Sequence, residues 1–331
     1  DVFGNVSELC LTSSYAFQTP SDNTTYLCLR GGDWTLPAVG VLPAHRMPSF
    51  SATSSPRTGF GLRVLKELPF AHPAPPDNPA EAEKWVANWL LERRAEFTIR
   101  LGTTTQGVSA GGSLPNEPFL VESVTLGRAA RFEPAELAYL QRLGSLSVLR
   151  LDNPRITSRA AARLVSLKKL TALEIGPAVL RSAHILGYLS KNATIRNVTF
   201  RGHSPSAAQM QELAAFRNLE QLDLTDRVLF DDGLKLLADL PKLRRLVLTG
   251  TPIGDAGVKH LAGLRGLTDL SLARTRVTDA GLAPLANCEA LEILDVSGTA
   301  VTGTGLLPLA RLGRLVTLNL GSSKLTDEGC A

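Results

Sequence analysis

An α/β solenoid with a parallel sheet on its concave face is the fold that this sequence predicts for most of its length, from three observations. The first is a fixed period. Leu243, Leu267, Leu291 and Leu315 open four near-copies of one phrase, each 24 residues after the last. A period in this range marks stacked coils rather than one globular core. The second is the apolar triplet in each copy, such as Leu267, Leu270 and Leu272, whose alternation along a strand sends its side chains inward. The third is the polar turn after each strand, as in Thr251-Pro-Ile253-Gly-Asp255-Ala-Gly257, which leads into a helix on the convex side.

Moving back from Leu243, the strand openings fall at Leu219, Ile195, Leu170, Leu146 and Val121, which makes nine strand units over residues 121–331 with the last incomplete. Thr251, Thr275, Thr299 and Ser323 carry hydroxyls able to bond backbone as the chain turns, and are expected to form a ladder from coil to coil. Asp255, Asp279 and Asp327 precede Ala-Gly or Glu-Gly, where an acid can cap the helix it opens, and Gly303 takes that place in one copy. Pro177 and the longer coil Gly202–Ser206 mark a local departure between residues 170 and 230. The pattern Leu-x-x-Leu-x-Leu-x-x-Thr-x-Ile/Val-x-Asp-x-Gly-Leu resembles a leucine-rich repeat of the short bacterial, ribonuclease-inhibitor-like type. That resemblance implies a horseshoe.

A solenoid end leaves a strand edge and an open core that need covering. Residues 80–120 are read as that N-terminal cap. Asn78 and Pro79 are an N-cap and first helical residue, and Ala82, Trp85, Val86, Trp89 and Leu90 share one helix face. The tryptophans are expected in the core. Phe97–Leu101 alternates like a strand, and Gly102–Ser113 reads as a polar, glycine-rich turn or loop. Residues 69–79 hold five prolines and form a semi-rigid linker.

Residues 1–68 open Asp1-Val-Phe-Gly4-Asn5-Val6-Ser7-Glu8, continue through Arg30-Gly31-Gly32-Asp33-Trp34 and His45-Arg46, and reach Gly59-Phe60-Gly61-Leu62-Arg63. Their order resembles the C-terminal part of the formylglycine-generating, sulfatase-modifying-factor family. The resemblance implies a partial α+β, C-type-lectin-like segment. It also implies a calcium site made by the Asp1 side chain, the Gly4 and Val6 carbonyls and the Glu8 carboxylate, since calcium takes six to eight oxygens. The other reading of those acids is a solvated turn. The family's copper-binding cysteines would fall near Leu36 and Val41, which supply no thiolate for a soft cuprous ion. Copper chemistry is therefore not expected here, and this segment is read as non-catalytic. The histidine cluster of the related nonheme-iron enzymes lies upstream of the matched part, so iron stays open.

With 44% apolar residues and a mean hydropathy of +0.06 the composition is that of a soluble globular protein, and no run of 18 apolar residues offers a membrane span. The net charge of +4 is spread over scattered basic pairs and only 5% of residues are aromatic, so nucleic acid is not an expected partner. Cys10, Cys28, Cys288 and Cys330 make no zinc spacing; Cys288 takes an apolar core position, and Cys10 with Cys28 can pair only in an oxidising compartment. The chain opens at Asp1 and stops at Ala331 inside a repeat, so both ends are expected to be cut and localisation is open.

The concave face is where a protein partner would bind. Its central column reads Thr125, Arg150, Glu174, Thr199, Asp223, Val247, Ser271, Asp295 and Asn319, with Arg196, Glu220, Arg244, Arg245, Asp269 and Glu292 beside it. No Ser-His-Asp spacing, paired-carboxylate motif or phosphate loop is present, and His184, His203 and His260 are single rim or surface residues. The leading function is protein recognition by the repeats, with a plain structural array as the bland reading. The competing class is an enzyme whose catalytic residues lie upstream, such as an iron-dependent oxidase or a fused protein kinase.

Overall fold

The computed structural model describes residues 16–18, 25–27, 75–181 and 184–330. The expected calcium ligands Asp1, Gly4, Val6 and Glu8, the Gly31-Gly32 motif, Leu36, Val41, Cys10 and Cys28 all lie outside the described residues. The chain divides into two compact units, Asp1–His72 and Pro73–Ala331. In the first, β1 (Ala16–Gln18) and β2 (Thr25–Leu27) pair antiparallel, with Phe17 opposite Tyr26.

The second unit begins with α1 (Pro79–Glu92). The Asn78 side chain accepts the Ala80 N–H at 3.0 Å, and Pro79 occupies the first turn, where its missing N–H costs nothing. Val86, Ala87, Trp89 and Leu90 are buried. Trp85 and Trp89 both set their rings edge-on to Tyr139, with centroids 5.0 and 5.5 Å away, so the pair is core packing. Two polar ties fix this helix to the first coil. Glu83, 3% exposed, accepts the Val121 and Gly144 N–H groups at 2.6 and 3.2 Å, and its burial raises its pKa above the usual carboxylate range. Arg93 makes a two-pronged bond to the buried Glu136 carboxylate, at 3.2 and 2.7 Å.

After α1, β3 (Glu96–Leu101) turns through Gly102, at φ +57°, into β4 (Thr104–Val108). The loop expected over Gly102–Ser113 is therefore half strand. Four of the five β4 residues are exposed, so no apolar alternation betrays it; the hairpin turn and pairing with β3 make it a strand. β3 also pairs antiparallel with β5 (Leu120–Leu126), and from there the sheet is parallel. It continues through β6 (Val148–Leu151), β7 (Ala172–Ile175), β8 (Asn197–Phe200), β9 (Gln221–Asp223), β10 (Arg245–Val247), β11 (Asp269–Ser271), β12 (Ile293–Asp295) and β13 (Thr317–Asn319). The whole sheet has eleven strands, and the polar β4 takes its N-terminal edge.

Short helices close the coils on the convex side: α2 (Ser158–Leu164), α3 (Ile185–Leu189), α4 (Ala207–Leu213), α5 (Asp231–Lys235), α6 (Asp255–Lys259), α7 (Asp279–Leu282) and α8 (Asp327–Cys330). More tightly wound 3-10 helices replace them at Pro134–Arg142 and Thr304–Arg311. One core runs the length of the array between sheet and helices, with Leu246, Leu270 and Leu294 at most 1% exposed. Burying each such leucine contributes about 1.5–3 kcal/mol. Cys288 lies in this core as a free thiol, and burial pushes its pKa up to about 11.

Two expectations about the turns exchange places. The hydroxyls of Thr251, Thr275 and Thr299 each bond the carbonyl three residues back in their own coil at 2.6 Å, on Leu248, Leu272 and Val296, and Ser323 does likewise with Leu320. They close a turn rather than link coils. The aspartates do the linking. Asp255 accepts the Thr278 N–H and hydroxyl at 2.8 and 2.7 Å, and Asp279 accepts from Thr302, Gly303 and Gly305. Each acid clasps the start of the following coil's helix instead of capping its own. This explains the glycine two residues further on. A Cβ on Gly281 would lie 2.4 Å from Asp255 Oδ1, and one on Gly257 the same distance from Asp231 Oδ1.

Candidate recognition groove on the concave face

Strand register decides which side chains share the concave face. Thr125, Arg150, Glu174, Thr199 and Asp223 are consecutive partners across β5 to β9, and Val247, Ser271, Asp295 and Asn319 continue the line to β13. The column read from the sequence is thus one physical column. Arg245 and Asp269 stand in the neighbouring column and pair at 3.6 Å.

Being on the face does not make a side chain available. Asp223 accepts the Thr225 N–H and hydroxyl at 2.9 and 2.6 Å, Asp295 the Ser297 N–H at 2.9 Å, and Asn319 the Gly321 N–H at 3.0 Å. These three candidates turn back to hold their own strand ends. Arg196 is paired with Glu220. Arg244 is exposed beside them, and among the described residues no ion pair places it with the other candidates.

The face is different at β6 to β8. Glu174, with a side chain only 17% exposed, takes Arg150 Nε on one oxygen at 2.9 Å and Arg201 Nε on the other at 2.7 Å. Arg150 also reaches the Ser123 hydroxyl at 3.4 Å. The Arg150 and Arg201 side chains remain 40% and 67% exposed. Between them lies an open groove of about 570 Å³ with Thr125, Asp152, Gly176, Pro177 and Gly202 in its walls. Gly176 makes room for it. A Cβ there would sit 2.5 Å from the Asp152 side chain, which is itself held by Arg128 at 3.1 Å and by the Ala178 N–H at 2.8 Å. Thr125 and Arg150 also border a smaller hollow of about 250 Å³ that reaches Thr98, Ser109 and Ser123.

Arg201 was not among the residues read as concave candidates. It follows Phe200, outside the apolar triplet, yet alternation carried two residues past Thr199 places it on the same side. The departure around Pro177 and Gly202 that the sequence flags is a wall of this groove. His184 is exposed and bonded to Glu212 at 3.0 Å, away from the groove walls. Among the described residues no helix is long and apolar enough to cross a membrane.

A family model described as Leucine Rich repeat matches residues 239–262 and 287–310. The chain carries a leucine-rich-repeat domain. The matched stretches cover β10 with α6, and β12 with most of the Thr304–Arg311 turn, which are the regular copies. No curated protein matches the chain. Among solved structures it is similar to an internalin (inlF) from Listeria monocytogenes str. 4b F2365, at 18% identity and a TM-score of 0.44, over 57% of this chain and 59% of that one. It is also similar to the protein of a TLR13–ssRNA13 complex, at 18% identity and a TM-score of 0.43, over 62% of this chain and 33% of that one. The chain thus spans less than two thirds of either.

Proposed function

We propose that the leucine-rich repeats form a recognition module that binds a protein partner on the concave face. The observation that carries this reading is the side-by-side column from Thr125 to Asn319, a long polar surface built on rigid strands. Around β6 to β8 that surface opens into a groove with exposed arginine side chains, while Asp223 and Asp295 hold their own strand ends and Arg196 and Arg245 are ion-paired. Such a surface suits a large, shape-matched partner. The test is capture from a cell lysate by the full chain, compared with Thr199→Arg and Val247→Arg, which place bulk in the central column. Loss of the captured protein in both variants is the expected result, with Arg276→Glu, an exposed side chain in the rim turn between β11 and α7, as a control that retains it. Equal recovery from all three would remove the concave face from the function.

In the same reading residues 1–68 are a non-catalytic sulfatase-modifying-factor-like module, residues 69–79 a linker and residues 80–120 the cap of the array. Calcium held by Asp1, Gly4, Val6 and Glu8 stabilises that module. Calorimetry of the chain with Asp1→Ala and Glu8→Ala tests it, and unchanged calcium affinity would refute it.

A further inference from the structure

We infer that the groove at β6 to β8 is an acceptor for the carboxylates of an acidic protein segment, with Arg150 and Arg201 as its donors. The inference rests on the recognition reading and names the chemistry of the partner. Glu174 is the key to the geometry. By taking one Nε from each arginine on its two oxygens, it sets both guanidiniums on either side of the groove and restricts their rotation. An arginine on a free stem loses that freedom only on binding, at a cost in affinity. Here the ordering is done beforehand. Among the described residues the Arg201 side chain makes no hydrogen bond or ion pair besides that to Glu174, so its two terminal nitrogens are available as donors.

Charge points the same way. Around the groove stand three guanidiniums, Arg128, Arg150 and Arg201, against the two carboxylates Glu174 and Asp152, which leaves a net positive charge. A planar fork of N–H groups matches a carboxylate with two parallel bonds. The same face argues against a nucleic-acid strand. Asp152 and Glu174 interrupt its positive lining, and no aromatic side chain in the groove offers a base a stacking surface. What the groove suits is a discrete carboxylate or two, as an Asp- or Glu-bearing peptide presents them.

The experiment uses the full chain and a fluorescein-labelled hexaglutamate peptide followed by polarisation. A hexalysine peptide and a uridine hexanucleotide are parallel probes, and inorganic phosphate is a competitor. Hexaglutamate is expected to bind in preference to the other two, more weakly as salt rises. Arg201→Gln is expected to weaken it about tenfold, the scale of one lost charge-assisted bond, and Arg201→Glu is expected to turn the preference toward hexalysine. Arg276→Gln, on the rim, should bind as the parent does. Circular dichroism melts check that Arg201→Gln is folded; that side chain is largely exposed, so its melt should match the parent's. Three results would overturn the inference: hexaglutamate bound no better than hexalysine, Arg201→Gln without effect, or the hexanucleotide bound more tightly with the same dependence on Arg201. Displacement by millimolar phosphate alone would also overturn it, by reducing the groove to a general anion site. If Thr199→Arg and Val247→Arg abolish partner capture while Arg201→Gln does not, recognition stands and this inference falls.

Discussion

The two halves of the array solve the same stacking problem differently. From β10 onward every copy is 24 residues long, every turn is closed by a Thr or Ser hydroxyl, and acids clasp one coil to the next. From β5 to β8 the strands are four or more residues long, and buried asparagines take over the linking. Asn153 donates to the Gly127 and Ala130 carbonyls of the previous coil at 2.7 and 2.9 Å, and Asn192 to those of Leu164 and Leu167 at 3.1 and 3.0 Å. The regular half spends its polar side chains on itself, including Asp295 and Asn319 on the concave face. The irregular half leaves two arginine side chains exposed around a hollow. Regularity and an accessible site are found in different places, because a polar group that closes a turn is held against its own coil.

Four substitutions and one control probe that contrast. The largest effect is expected from Leu270→Asp, which puts a charge into a site 1% exposed and should lower stability by on the order of 4 kcal/mol in a denaturant melt. An unchanged midpoint would refute the register. Next comes Gly281→Ala, whose new methyl meets the Asp255 carboxylate and should cost about 2 kcal/mol, whereas Gly263→Ala opens onto free space and should stay within about 0.5 kcal/mol of the parent. Similar losses in both would sink the clasp as the reason for that glycine.

Asp279→Asn should cost about 1–2 kcal/mol at neutral pH. Burial alone would raise the Asp279 pKa, but hydrogen bonds from the Thr302 hydroxyl and from the Thr302, Gly305 and Gly303 amides together hold it below the usual value. A lowered folded-state pKa means that the unfolded chain binds the proton first. The stability owed to Asp279 is therefore present above a pH of about 3.8 and lost as the pH falls through the lower folded-state value. An acid titration in which the Asn variant loses stability as steeply as the parent below that pH would contradict this.

The smallest effect has the opposite sign. Phe230, 71% exposed, stands where Thr278 and Thr302 stand in later copies, and gives α5 no side-chain cap. Phe230→Thr should supply one and raise stability by about 0.5–1 kcal/mol. A loss instead would mean that the phenyl ring packs in a way its exposure belies.

The leucine period located β5 to β13 because burial selects a side chain by its distance from the core, and that distance repeats with every coil. It could not locate β4, whose Thr104-Thr-Gln-Gly-Val108 has almost nothing to bury. Nor could it tell which coil a short polar side chain reaches. Thr251 and Asp255 occupy adjacent parts of the same turn, and only the stacking geometry decides that one bonds inward to its own coil and the other outward to the next. The concave column was legible for the same reason as the core, through strict alternation. The groove within it was not, because it depends on the missing side chain of Gly176 and on Arg201, one step beyond the conspicuous part of the repeat.

The aspartate clasps also give the array a direction. Asp231 holds the Gly254 amide, Asp255 holds Thr278 and Asp279 holds Thr302, always from the earlier coil to the later. When a coil on the N-terminal side opens, its successor's helix loses its anchor, whereas opening on the C-terminal side takes nothing from the helix start of the coil before. Damage in this half should therefore unzip toward the C-terminus, so a nick near β10 releases more chain than an equal nick near β12. The run stops at Gly303, which has no carboxylate to pass on. There the Thr326 N–H and hydroxyl turn to the Thr302 carbonyl instead, at 3.0 and 3.4 Å.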